Sequence, residues 1–191
     1  MMIRKALIAA AFTLAACGPA QVQEESPFPV EADLPGPDQG VYPSMMRMTG
    51  EVIGNGGEAI GLVSMLSGPN GTLIEVTIDR GGLTPGWHGL HLHQIGSCGD
   101  LDVFKQSAGH VGKIEGGHGL LNPKGPEGGD LPNIFAGPDG SAGYEAVSTL
   151  FEMSGLVDED GAALIIHAGR DDHMTQPIGG AGARVACAVI G

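Results

Sequence analysis

The chain has 191 residues, 42% of them hydrophobic but only 4% aromatic, with 34 glycines and 13 prolines. That suits one ordinary domain with its own core, and the density of turn formers between short apolar runs argues against a helical bundle and for an all-β sandwich or barrel with long loops. The formal net charge of −13 disfavours nucleic acid and acidic membrane surfaces as partners, and an anionic substrate would need a local positive focus on such a chain.

In chain order, the N-terminus reads as a processing signal. Arg4 and Lys5 precede an apolar run, residues 6–16, that is too short to span a bilayer. The run Leu14-Ala15-Ala16-Cys17 resembles a bacterial lipoprotein signal, which implies cleavage before Cys17 and lipidation of its sulfur; the alternative is an ordinary secretory signal with an incidental cysteine. Either way residues 1–17 are a leader and the domain is exported, with a lipid anchor at Cys17 placing it in the periplasm or cell envelope. Losing Arg4 and Lys5 would take the charge from −13 to −15. Residues 18–43 are rich in Pro, Gln, Glu and Gly without periodicity and read as a flexible tether. The domain is expected over residues 44–191. Strands are expected at 45–53 and 59–66, then a turn at Gly68-Pro69-Asn70-Gly71, then an alternating hairpin partner at 72–79.

The next run, Trp87-His88-Gly89-Leu90-His91-Leu92-His93, is strand-like and places His91 and His93 two apart, on one face, within reach of one metal ion. All seven histidines lie between His88 and His173, and imidazole suits copper, zinc, iron and nickel. Residues 97–135 are expected to be mostly loop, and a structureless stretch of that length should be functional. Strands are expected again at 141–147, 148–153 and 163–167, a second Gly-rich loop at 171–183 and a closing strand at 184–190. With Cys17 used as the anchor, Cys98 and Cys187 remain as an even pair in an oxidising compartment, so a disulfide between them is expected. Lys105, Lys113, Lys124, Arg170 and Arg184 are the basic residues near the histidines. Gly179-Gly180-Ala181-Gly182 precedes a strand, so it is no phosphate-binding loop.

Taken in order and spacing, several stretches resemble the copper/zinc superoxide dismutase family from about residue 44 to 191. They are His88-Gly89-Leu90-His91-Leu92-His93, Ser107-Ala108-Gly109-His110, His118-Gly119-Leu120-Leu121-Asn122-Pro123, Gly129-Asp130-Leu131-Pro132-Asn133, Ile166-His167, Asp171-Asp172 and the closing run from Gly182 to Gly191. The resemblance implies an eight-stranded Greek-key β-barrel with two long functional loops, one binding metal and one electrostatic. It implies copper ligation by His91, His93, His110 and His167, with His110 bridging to zinc, and zinc ligation by His110, His118 and Asp130. Asp171 would link ligand imidazoles of the two sites, as outer carboxylates commonly do. Arg184 would stand beside the copper and attract superoxide, unless it is only a surface residue of the closing strand. His88 would bond backbone carbonyls, and Cys98 and Cys187 match the family disulfide.

The chain also departs from the family pattern. At the third zinc position, usually histidine, stands Glu127; either its carboxylate ligates zinc or it turns outward and water replaces it. Val111-Gly112-Lys113-Ile114 replaces the usual sequence after His110. The second loop has no lysine and carries an extra His173, expected to be solvated. The implied activity is dismutation of superoxide by a cycling, His-ligated copper ion, with His110 supplying a proton. The competing reading is an exported copper- or zinc-binding protein on the same barrel without turnover. The oligomeric state stays open, a homodimer included.

Overall fold

Alternation of inward apolar and outward polar side chains builds the first three strands. In the computed structural model, which describes residues 45–191, these are β1 (Arg47–Gly54), β2 (Ala59–Gly68) and β3 (Gly71–Ile78), an antiparallel meander. Along β3, Thr72, Ile74, Val76 and Ile78 are buried while the residues between them are partly exposed. The expected leader, the tether and Cys17 lie outside the described residues.

The histidine strand is interrupted at Gly89 into β4 (Gly86–His88) and β5 (Leu90–His93), and the two pieces take different partners. β4 pairs with β6 (Ile134–Ala136), whereas β5 pairs with β8 (Ala162–His167). With β7 (Ala142–Ser148) and β9 (Arg184–Ile190), the main sheet runs β5-β8-β9-β1-β2-β3-β7, all antiparallel. β6 turns directly into β7 through the Gly137 N–H donating to the Ser141 carbonyl at 2.8 Å. Counting the interrupted strand once, eight strands close the Greek-key barrel that the sequence implied.

Two strand assignments need correction. The end of the stretch 97–135, expected to be mostly loop, enters β6 at Ile134–Ala136, because Ile134 and Ala136 bury into the core while Phe135 faces out. Residues 148–153, expected as a strand, do not form one beyond Ser148, where β7 ends: Thr149 and Leu150 are exposed, and the chain turns into a 3₁₀ helix at Met153–Leu156 that presses Met153 and Leu156 into the core.

The core explains why the histidines end up outside the barrel. Leu90 and Leu92 of β5 join the main core with Leu164 and Ile166 of β8, so the alternate positions His91, His93 and His167 face the other way. That outer face is still buried, since every residue of β5 and β8 is inaccessible to solvent. The first long loop covers it. Phe104, fully buried, packs with Ala163, Ile165 and Cys187 on the outside of the sheet, and the Cys98–Cys187 disulfide, with 89 residues of separation, binds the loop to β9. In the chain-entropy account a closed loop of that length stabilises the fold by about 4 to 5 kcal/mol. The bond also fits an exported, oxidising location.

The same loop pairs with the free edge of β5: the Leu92 N–H donates to the Gly129 carbonyl and the Val111 N–H to the Leu92 carbonyl, each at 2.9 Å. A β-carbon on Gly129 would collide with the Leu92 carbonyl oxygen, so the close approach requires glycine. This pairing sets His93 opposite His110 and His91 opposite Asp130.

Candidate metal centre

The barrel and loops bring together every expected ligand in one buried cluster. The candidate ligand atoms of His91, His93 and His167 lie within 4.8 Å of one another, and those of His91, His110, His118 and Asp130 do the same. His110 belongs to both neighbourhoods, its ring centroid 4.3 Å from that of His91 and 5.2 Å from that of His118.

On the strand-borne side, one nitrogen of each imidazole is already engaged. His93 Nδ1 lies 2.9 Å from the Ala108 carbonyl, His167 Nδ1 3.0 Å from the Gly182 carbonyl and His91 Nε2 2.8 Å from Asp171 Oδ2. The remaining nitrogens, His91 Nδ1, His93 Nε2 and His167 Nε2, together with His110 Nε2, are buried without a hydrogen-bond partner among the described residues. Orphaned buried polar atoms are costly unless something binds them. Four nitrogen donors fit oxidised copper's tetragonal preference. Burial holds the rings of His91, His93 and His167 neutral, as ligation requires. It lowers His91 to about 4, against the pull of Asp171; His93 falls to about 2 by burial and the Arg184 charge, and His167 to about 3 by burial and the neighbouring His91.

The loop-borne side is built from carboxylates. His118 Nδ1 is 2.7 Å from Asp130 Oδ1, and His110 Nδ1 is 2.8 Å from Glu127 Oε2 and 3.3 Å from Asp130 Oδ1. Glu127 is turned inward and only 4% exposed, its other oxygen taking the Ile114 N–H at 3.0 Å. Asp130 Oδ2 accepts the N–H groups of Gly119 at 2.7 Å and Glu127 at 2.8 Å. Burial opposes charge on Asp130, but its hydrogen bonds to His110 and His118 outweigh it and hold the acid well below the usual carboxylate range. For His118 the burial cost is likewise outweighed, by Asp130 and Asp171, and its pKa rises to about 9. Two nitrogens and two carboxylate oxygens around one point are a donor set zinc accepts.

Asp171 joins the two sides, since its Oδ2 meets His91 and its Oδ1 lies 3.3 Å from His118 Nε2. It is held in turn by Asn133, whose Oδ1 accepts the Asp171 N–H at 2.8 Å and whose amide donates to the Asp171 carbonyl at 2.9 Å. His173, expected to be solvated, is instead tied in. Its N–H donates to Asp171 Oδ1 at 2.6 Å and its Nε2 lies 3.0 Å from the Asn133 amide. Its backbone reverses locally, at φ 61°, and folds the ring back toward the carboxylate. Gln176 is a further positioning residue without a sequence signal; its amide donates to the His118 carbonyl at 2.8 Å while its oxygen accepts the His118 N–H at 3.2 Å.

Arg184 faces this centre rather than solvent. Its guanidinium donates to the Phe104 carbonyl at 2.6 Å, Ser107 Oγ at 3.0 Å and the Ala108 carbonyl at 2.8 Å. Phe104 and Ala108 both hold left-handed backbone, φ 47° and 62°, which costs a non-glycine residue about 1 to 3 kcal/mol. Both of these strained residues present carbonyls that orient Arg184. His88 bonds as expected, its two ring nitrogens each 2.7 Å from a backbone carbonyl, those of His167 and Thr84.

Two donor clusters back to back across one imidazole, on the outer face of an antiparallel barrel, define a binuclear metalloprotein. The chain belongs to the copper/zinc superoxide dismutase family, whose profile (SODC) matches residues 59–190. It is 48% identical over 141 residues to a superoxide dismutase [Cu-Zn] of Caulobacter vibrioides, covering 70% of this chain and 79% of that one. A second relative, superoxide dismutase [Cu-Zn] 2 of Aquifex aeolicus, is 36% identical, covering 76% and 86% of the two chains. Among solved structures, a superoxide dismutase-like protein from Bacillus subtilis superposes with a TM-score of 0.64 at 34% identity, over 74% of this chain and 96% of that one. The Cu/Zn superoxide dismutase of Brucella abortus does so at 0.63 and 29%, over 76% of this chain and 100% of that one. Membership makes the chain an oxidoreductase acting on superoxide, with copper and zinc as its metals.

Proposed function

We propose that this protein dismutates superoxide at a copper held by His91, His93, His110 and His167, beside a zinc held by His110, His118, Glu127 and Asp130. The observation that carries the reading is the set of four buried, partnerless imidazole nitrogens on the copper side. Copper, when bound, supplies the one-electron couple by which one superoxide is oxidised to oxygen and a second, taking up two protons, is reduced to hydrogen peroxide; zinc supplies fixed positive charge.

This chain's residues do the rest. His110 presents Nε2 to the copper side and Nδ1 to the zinc side, so a proton carried on Nε2 is available where the second anion is reduced. Asp171 fixes the orientation of His91 and His118 together. Arg184, held by three acceptors, keeps a positive charge at the cavity it lines with His93 and His110. A metal-binding protein without turnover has no use for that cation, which favours the enzyme over the competing reading. The test is the rate of the copper- and zinc-loaded protein. A second-order constant approaching the diffusional ceiling of about 10⁸ to 10⁹ M⁻¹s⁻¹ is expected, and a rate no faster than free solution chemistry with copper bound would shift the reading to metal binding.

The domain is further proposed to act in the cell envelope, carried by a leader ending at a lipidated Cys17 and a tether over residues 18–43. The Leu14-Ala15-Ala16-Cys17 run and the disulfide support this. In a producing cell, Cys17→Ser should abolish incorporation of labelled fatty acid; a lipid label that survives the substitution rules out the anchor.

A further inference from the structure

Arg184 stands at the metal centre without an ion pair among the described residues, although a carboxylate is near enough to act on it. Burial pushes the guanidinium down from its ordinary value and Asp100 draws it back up. Opposite charges in a partly buried setting attract strongly, and a closed Arg184–Asp100 pair would cancel the cation where an anion arrives. Both groups are held by one short turn of the first loop, the 3₁₀ segment Lys105–Ser107. Its N–H groups take the carboxylate: that of Lys105 donates to Asp100 Oδ2 at 2.7 Å and that of Gln106 to both oxygens at 3.2 Å. Its last side chain takes the cation, with Arg184 Nη1 donating to Ser107 Oγ at 3.0 Å.

Ser107 is fully buried, and its neighbours fix the direction of each of its bonds. Its Oγ lies 2.8 Å from the Phe104 carbonyl and 3.3 Å from His93 Nδ1. His93 Nδ1 carries a proton, because it faces the Ala108 carbonyl at 2.9 Å, and a guanidinium has only donors. The hydroxyl proton therefore goes to Phe104, and toward Arg184 and His93 the oxygen only accepts. Arg184 Nη1 has two protons, one for the Phe104 carbonyl at 2.6 Å and one for Ser107 Oγ. Without the hydroxyl the second proton loses its acceptor in a buried place, a cost that a turn toward Asp100 would relieve. We propose that Ser107 is a positioning residue that keeps Arg184 apart from Asp100, so that the charge stays open to an anion at the copper site. This rests on the dismutase reading for the copper site and its anion, while the separation of the two charges is a property of the polypeptide alone.

The test is a double-mutant cycle of Ser107→Ala and Asp100→Asn in the copper- and zinc-loaded protein, read by the affinity of azide for the copper site in an absorbance titration. Ser107→Ala should weaken azide by about three- to tenfold, as loss of one of several hydrogen bonds to a charged group allows. In the Asp100→Asn background the same change should cost about twofold or less, since the amide still accepts the Lys105 and Gln106 N–H groups but offers Arg184 no charge. Copper and zinc content should not change. Ser148→Ala, which removes a buried hydroxyl from β7, controls for lost stability and should leave azide affinity at the wild-type value. Unchanged azide affinity in Ser107→Ala overturns the proposal, and so does an equal loss in both backgrounds, which would make Ser107 a merely structural residue. If the wild type binds copper and azide but does not dismutate superoxide, the functional reading fails and the azide cycle still decides the role of Ser107. If copper does not bind at all, a crystal structure of metal-free Ser107→Ala decides it: Arg184 paired with Asp100 supports the proposal, and a guanidinium still held by the Phe104 and Ala108 carbonyls overturns it.

Discussion

The proposed copper side and the proposed zinc side of this centre are adjacent, share His110, and are built on opposite principles. On the proposed copper side the histidines stand on β5 and β8 and on the loop edge hydrogen-bonded to β5; the spare nitrogens of His93 and His167 are held by backbone carbonyls and that of His91 by Asp171, and burial keeps these three rings neutral. On the zinc side the ligands stand on the loop, and carboxylates hold one another's partners in place. A redox metal would benefit from the first arrangement, since the barrel strands keep His91, His93 and His167 preorganised, while His110, on the loop, has the nitrogen that can take a proton. The second arrangement ties geometry to charge, and Glu127, where the family usually has histidine, falls on that side.

The largest effect that would sharpen this contrast comes from a strand ligand. His93→Ala should abolish copper binding and bring dismutation down to the solution background, while zinc stays at one ion per chain, as metal analysis of the purified variant would show. Retained activity would exclude the assigned copper site, and loss of both metals would mean the two sides are not separable. A smaller effect is expected from the loop. Glu127→His should tighten zinc by about tenfold, within the range that changes around a metal commonly produce, and raise the melting temperature of the zinc-loaded protein by the corresponding linkage. Unchanged zinc affinity and melting temperature would remove Glu127 from the ligand set.

Much of this was legible along the chain because local rules carry it. Alternation in β1 to β3, the same-face spacing of His91 and His93, and the parity of Cys98 and Cys187 each follow from geometry within a few residues or from simple counting. The failures are equally informative. Residues 134–136 are too few to show a period, and they are a strand only because β4 supplies a partner and the core accepts Ile134 and Ala136. Residues 148–153 have the composition of a strand, but pairing with β3 ends at Ser148 and the next turn is spent plugging the core with Met153 and Leu156. His173 looked solvated because nothing near it in sequence predicts that the loop reverses there and meets Asn133, forty residues earlier.

Composition, period and motif spacing determined by themselves that the chain is an all-β protein with two long loops and a histidine-rich metal site, since turn density, the two-residue repeat of a strand and the donor chemistry of imidazole are properties of short segments. Tertiary structure alone decided which nitrogen of each histidine stays free, that Glu127 turns inward, and that Arg184 is aimed by two strained carbonyls. Those outcomes depend on groups far apart in the chain competing for the same hydrogen bonds and the same small volume, a competition that exists only once the barrel has closed and the loops have settled on its outer face.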